Sequence, residues 1–219
     1  MTLQAMVDYD AFRWEYISTY EECRNIANEL KVVSRERQLA FLASCVERML
    51  LNYYLVEEQP GWGDKIILIK GMSCIWNVLQ KHQYKNDYVA RLSENVIECV
   101  SDADEYQASF YHVVGEAPAI GIMLLLKNVN SSEDLFDVAL EIFSTLLNSL
   151  IDYIELEIDI DAKIEPIVNH ECFKREMLKQ REDLALLSSN SILTDRIIDR
   201  LRSSSQDLVF QFRMISGLS

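Results

Sequence analysis

Glycine and proline are scarce in this chain, with six and three in 219 residues. That scarcity argues against a loop-rich or all-β architecture, which needs turn residues at short intervals. Histidine occurs three times, at His82, His112 and His170, and none has a His or Cys partner three or four residues on. The Glu-x-x-His pairs of a di-metal bundle are missing too, so no metal and no cofactor is expected. The five cysteines (Cys23, Cys45, Cys74, Cys99 and Cys172) are odd in number and widely spaced. They read as reduced, mostly buried thiols of a cytoplasmic protein. No apolar run approaches the roughly 18 residues of a membrane span. The first residues have neither a basic n-region nor an apolar h-region, so no secretory signal is expected. A Gly-x-Ser-x-Gly elbow and a phosphate loop are both lacking.

Basic residues are also scarce in one place. From Asp102 to Asp161 there are thirteen Asp or Glu and one Lys, Lys127, so this stretch holds −12 of the net −14. A field so concentrated repels nucleic acid and anionic membrane and steers cationic partners. The mild basic clusters elsewhere, Lys174-Arg175 and Arg196/Arg200/Arg202, interleave with acids and read as solvated faces.

What is present is helical period. Tyr16/Ile17, Tyr20, Cys23, Ala27 and Leu30 form one apolar stripe at steps of three and four. Leu39, Leu42, Val46, Met49, Leu50 and Tyr53 form a second, with Arg37, Ser44 and Arg48 on the opposite, polar face. Pro60-Gly61-Trp62-Gly63 stops that helix, and Asp64 is placed to cap the next, whose stripe is Leu68, Met72, Ile75, Trp76 and Leu79. A shorter helix is expected from about Asn86 to Val100. Pro118 suits the first turn of an apolar helix reaching Lys127. Ser131 or Ser132 is placed to cap a long helix carrying Leu135, Ala139, Ile142, Phe143, Leu146, Leu147, Leu150, Ile151 and Ile154. Ile154 to Asp161 alternates like a strand. With no partner strand it reads as the end of that helix, where Glu155/Asp159 and Glu157/Asp161 crowd as like charges. Pro166 is expected to open a helix with Phe173, Met177, Leu184 and Leu187. After a break at 188–191, a last helix uses Leu193, Ile197, Leu201, Leu208 and Phe212. The expected fold is all-α: one domain over 1–219, an irregular bundle of about eight helices.

Cys45-Val46-Glu47-Arg48-Met49, then Asn52-Tyr53, Gly61-Trp62-Gly63-Asp64 and Ile75-Trp76, resemble the YjaG-like family of bacterial helical proteins, a domain of unknown function. The family's C-x-E-R-M helix, Asn-Tyr pair, G-x-G-D turn and Ile-Trp recur in order. Ser101-Asp102-Ala103-Asp104 and Pro118-Ala119-Ile120 look like its Ser-Ala-Asp-Asp and Pro-Ala-Ile elements. The resemblance covers Arg35 to Leu187, with 1–34 as an added N-terminal helix, 188–219 as a C-terminal helix, and Gln107 to Val113 lengthening the acidic connection. It implies an all-helical fold and a bacterial cytosolic setting. It implies no activity and no catalytic residue.

Three functional readings stand. The first is a non-enzymatic acidic interaction module, in its specific form an immunity-type inhibitor or regulator masking a basic protein. It would use Asp102, Asp104, Glu105, Asp152, Glu155, Glu157, Asp159 and Asp161. The second is a small-molecule binder or enzyme around Glu47, Arg48, Asn52 and Asp64 beside the Gly61-Trp62-Gly63 turn. Against it stands a structural role for the same residues, with Arg48 paired to a carboxylate, Asn52 holding the turn, Asp64 capping and Trp62 stapling the turn to the bundle. The third is a homo-oligomeric scaffold through Ile120–Leu126 or Leu193–Phe212.

Overall fold

A computed structural model of the chain describes residues 20–53, 65–82, 84–99, 110–157 and 169–215, with side chains over 20–50, 65–82, 84–99, 116–150 and 169–205. The described residues form eight α-helices and no strand. These are α1 (20–30), α2 (Arg35–Tyr53), α3 (Lys65–Leu79), α4 (Asn86–Ile97), α5 (Phe110–Asn128), α6 (Phe136–Glu157), α7 (Glu171–Ser188) and α8 (Asp195–Ile215). None is long and apolar enough to cross a membrane.

Helix α2 is the axis. It packs against α3, α5, α6, α7 and α8, and every residue from 39 to 50 is buried. This corrects the amphipathic reading of the helix. Its Ser44/Arg48 face does not meet water but is covered by α7 and α8. A helix surrounded by neighbours buries its polar side as well as its apolar one.

Two glycines let α5 come close. A Cβ on Gly71 of α3 would lie 2.6 Å from Ile122 Cγ2, and one on Gly121 of α5 would lie 2.8 Å from Val46 Cγ2. Both contacts fall on branched carbons near the backbone, so no flexible side-chain end can move aside.

The termini depart from the sequence reading in three places. Pro118 sits inside α5, not in its first turn, because the helix begins at Phe110. Ala117, Ala119 and Ile122 are buried beside it. Packing of this apolar face outweighs the missing proline donor. Helix α6 is capped by Asp134, whose Oδ1 accepts from Phe136 N at 3.0 Å, whereas Ser131 Oγ accepts from Glu133 N within the preceding loop. Helix α7 starts at Glu171 with His170 as its N-cap, Nδ1 accepting from Cys172 N, so Pro166 does not open it. Pro166 itself, the Pro60–Asp64 turn and Ile158–Asp161 lie outside the described residues.

Helix α3 ends in a left-handed cap at Lys81 (φ 65°), with His82 N donating to Asn77 O and Lys81 N to Val78 O. Two arginines at the start of α2 close other helices. Arg35 donates to the carbonyl of Asn128 at the end of α5. Arg37 donates to those of Leu187 and Asn190 at the end of α7. All five cysteines are buried, and none is in a disulfide.

Candidate functional site

Glu47 and Arg48 are adjacent on α2, so their side chains diverge by about 100°. Each enters a different part of the interior. Arg48 faces α7. Its Nε and Nη2 form a two-pronged pair with Glu176, at 2.7 and 2.6 Å. Nη1 donates to Ser44 Oγ at 2.7 Å and to Asp183 Oδ2 at 3.2 Å, and Nη2 also reaches Cys45 Sγ at 3.3 Å. All the donors of the guanidinium fork are thereby used.

Helix α7 supplies the rest. Asp183 also accepts from Ser44 Oγ at 2.7 Å and pairs with Lys179 one turn earlier. Gln180 donates to Glu176 Oε1 at 2.9 Å, and Ser205 Oγ of α8 lies 3.1 Å from Ser44 Oγ. Arg48, Glu176, Lys179, Gln180 and Asp183 are all buried. Two cations face two carboxylates, so the seam is neutral. Burial acts most strongly on Arg48 and lowers its pKa, but Glu176 and Asp183 carry it above its ordinary value. Burial pushes the neighbouring Cys45 thiol up to about 12, too high for a thiolate nucleophile near neutrality.

Glu47 faces α3. It accepts the indole N–H of Trp76 and lies 3.8 Å from Arg202 Nε of α8, whose guanidinium sits 5.7 Å from the Trp76 ring centroid. Burial raises the Glu47 pKa, and Arg202, the indole N–H and Arg48 pull it back only in part. The folded chain therefore holds this proton more tightly than the unfolded chain does. The associated stability is whole below the ordinary carboxylate pKa and is lost as pH rises through the raised one. Glu47→Gln, which keeps an acceptor for Trp76, is expected to flatten that part of the stability profile. Urea midpoints from about pH 4 to about pH 8 check this, and an unchanged slope would contradict it.

Chemically, these groups are turned on one another. Among the described residues of this site, Gln180 Oε1 and Arg202 Nε make no hydrogen bond. Surface grooves of about 470 and 380 Å³ lie elsewhere, one beside Ile192, Arg196 and Arg200 and the other between α4 and α5. Among the described residues, no group of three or more His, Cys, Asp or Glu could hold a metal ion.

The remaining residues singled out by the sequence are not brought to this place. Asn52, Asp152, Glu155 and Glu157 fall on described backbone of α2 and α6, but their side chains are outside the described set. Gly61, Trp62, Gly63, Asp64, Asp102, Asp104, Glu105, Asp159 and Asp161 lie outside the described residues altogether. What sequence reasoning missed is the buried polar face of α7. Glu176, Lys179, Gln180 and Asp183 continue the face of Phe173 and Leu184 at steps of three and four. Polar residues in register with a core stripe were the available signal. Four acidic residues of the −12 stretch are described and exposed: Glu133, Asp134, Asp137 and Glu141. None of the four is ion-paired among the described residues.

A family profile described as "Protein of unknown function (DUF416)" matches residues 25–209, extending beyond Arg35–Leu187 at both ends. A crystal structure of a DUF416 family protein from Shewanella baltica OS155 superposes with a TM-score of 0.69 at 20% identity. The match covers 83% of this chain and 93% of that one. At that identity the likeness shows a common fold. No curated protein matches the chain in sequence.

Proposed function

We propose a function for this chain from the premise that it belongs to the DUF416 family: it is a helical interaction module whose acidic surface receives a basic protein. The observation carrying this is the concentration of −12 between Asp102 and Asp161, together with exposed carboxylates at Glu133, Asp134, Asp137 and Glu141 that no cation among the described residues neutralises. Asp137 and Glu141 lie one turn apart on α6, Asp134 precedes its first turn, and the same helix leads on to Asp152, Glu155 and Glu157. Such a face attracts a cationic partner over roughly a Debye length and speeds its docking. The finer reading is a YjaG-like, cytoplasmic, bacterial inhibitor or regulator that masks its partner without chemistry of its own. The alternative site around Glu47 and Arg48 draws less support, because the donors of Arg48 and the buried carboxylate of Glu47 are committed to internal partners.

The test is retention of partner by the immobilised full chain at about 0.05 M and about 0.5 M salt. A second column carries D137N/E141Q/D152N/E155Q/E157Q. The expected result is a basic protein held at low salt by the wild type, released at high salt and absent from the variant column. Equal retention on both columns, or none on either, would end this reading.

A further inference from the structure

A second place leaves chemistry open, and it uses other residues than the acidic face. Between α4 and the end of α5 runs a groove of about 380 Å³, within the range of small-molecule sites. Val89, Ala90 and Ile97 of α4 and Leu126 of α5 make its apolar walls, and Ile97 remains 41% exposed. Among the described residues, no helix covers Ala90 or Ile97, while Val89 and Leu126 form a buried floor.

Three polar groups in the lining have no partner among the described residues. Ser93 is 4% exposed, yet its Oγ has no hydrogen-bond partner. Buried hydroxyls are normally satisfied, so a partner from outside the chain is the natural completion. Glu94 and Lys127 are exposed, line the same groove and make no ion pair with each other or with any other described residue. Lys127 is the one cation in the acidic stretch. Opposite charges that border one space without closing on each other leave a gap for a ligand carrying both. The end of the groove beside Lys127 is bounded by Asn130, whose amide donates to Asn86 Oδ1 at 3.2 Å. Asn86 is the first residue of α4, and its N-cap, Lys85, offers no side-chain acceptor. The positive end of the α4 dipole and the negative end of the α5 dipole meet there, so Lys127 is the charge that sets the sign at this end.

We propose that this groove binds a free α-amino acid with an apolar side chain. The ligand carboxylate takes Lys127 and a hydrogen bond from Ser93 Oγ. The ligand ammonium takes Glu94, and its side chain lies against Val89, Ile97 and Leu126. A simple carboxylate would face Glu94 unshielded, and a simple amine would face Lys127, so the charge pair selects a zwitterion.

L-leucine is the probe, added to the full chain and followed by calorimetry and by amide chemical shifts. Two truncated probes accompany it: 4-methylpentanoate, which lacks the ammonium, and 3-methylbutylamine, which lacks the carboxylate. The expected result is saturable binding of leucine with shifts on α4 and the end of α5. Each truncated probe, and each of the surface variants Lys127→Gln and Glu94→Gln, should bind at least about tenfold more weakly, 1.4 kcal/mol. Absence of saturation by about 10 mM leucine would overturn the proposal. So would equal binding of 4-methylpentanoate, or leucine binding that neither variant weakens.

Discussion

Replacing Arg48 by Met is expected to remove about 3–5 kcal/mol of stability, a large share of what a domain of this kind possesses. The thioether fills much of the same volume, so the loss is not chiefly one of packing. It comes from Glu176 and Asp183, which would remain buried after their cation has gone. Lys179 still compensates Asp183, but Glu176 keeps only the amide of Gln180. An uncompensated buried carboxylate is far more costly than an absent ion pair. The double variant Arg48→Met with Glu176→Leu is therefore expected to be more stable than Arg48→Met alone. Urea midpoints at constant m-value check both. A loss under about 1 kcal/mol in the single variant would show that the seam is solvated in practice.

Trp76→Ala is expected to lose a further about 3–5 kcal/mol, by a different route. The indole is 1% exposed in α3 and among the largest fully buried side chains. Truncation empties its volume, strips Glu47 of its N–H donor and removes the ring under Arg202. Trp76→Phe separates these effects. It keeps most of the ring volume and removes the donor, for a loss of about 1–3 kcal/mol. It also raises the Glu47 pKa further, since the indole hydrogen bond is one of the causes that lower it. The Phe variant should therefore lose stability with rising pH more steeply than the wild type. A parallel pH profile would mean that the indole contributes volume alone.

Apolar period made the helices legible. Leu68, Met72, Ile75, Trp76 and Leu79 are buried as their spacing indicates, and so are Ala139, Ile142, Phe143, Leu146, Leu147 and Leu150. Period says which positions share a face, not what that face meets. Ser44 and Arg48 on α2, and Glu176 and Asp183 on α7, look like solvent-facing residues when each helix is read alone. They are buried because each polar face covers the other, a fact that belongs to the pair and to neither segment. Pro118 misled for a related reason. Local rules place proline at a helix start, and the buried alanines on either side of it show tertiary packing prevailing. Trp76 and Glu47 were both visible in the sequence, but nothing in their 29-residue separation announced the bond between them.

The central position of α2 also bears on the order in which the chain leaves the ribosome. Arg48 is synthesised 128 residues before Glu176. At about 5–20 residues per second, that interval is roughly 6–26 s. Over that interval α3 to α6 are made in turn, and the apolar side of α2 can collect them. The guanidinium meanwhile has Ser44 and Cys45 of its own helix but neither of its carboxylates. The ion pair with α7 therefore acts late, as a latch on an assembly already begun. A nascent chain arrested before α7 would leave the Arg48 guanidinium without Glu176 and Asp183, and that one unpaired cation is what sets an unfinished copy apart from a finished one.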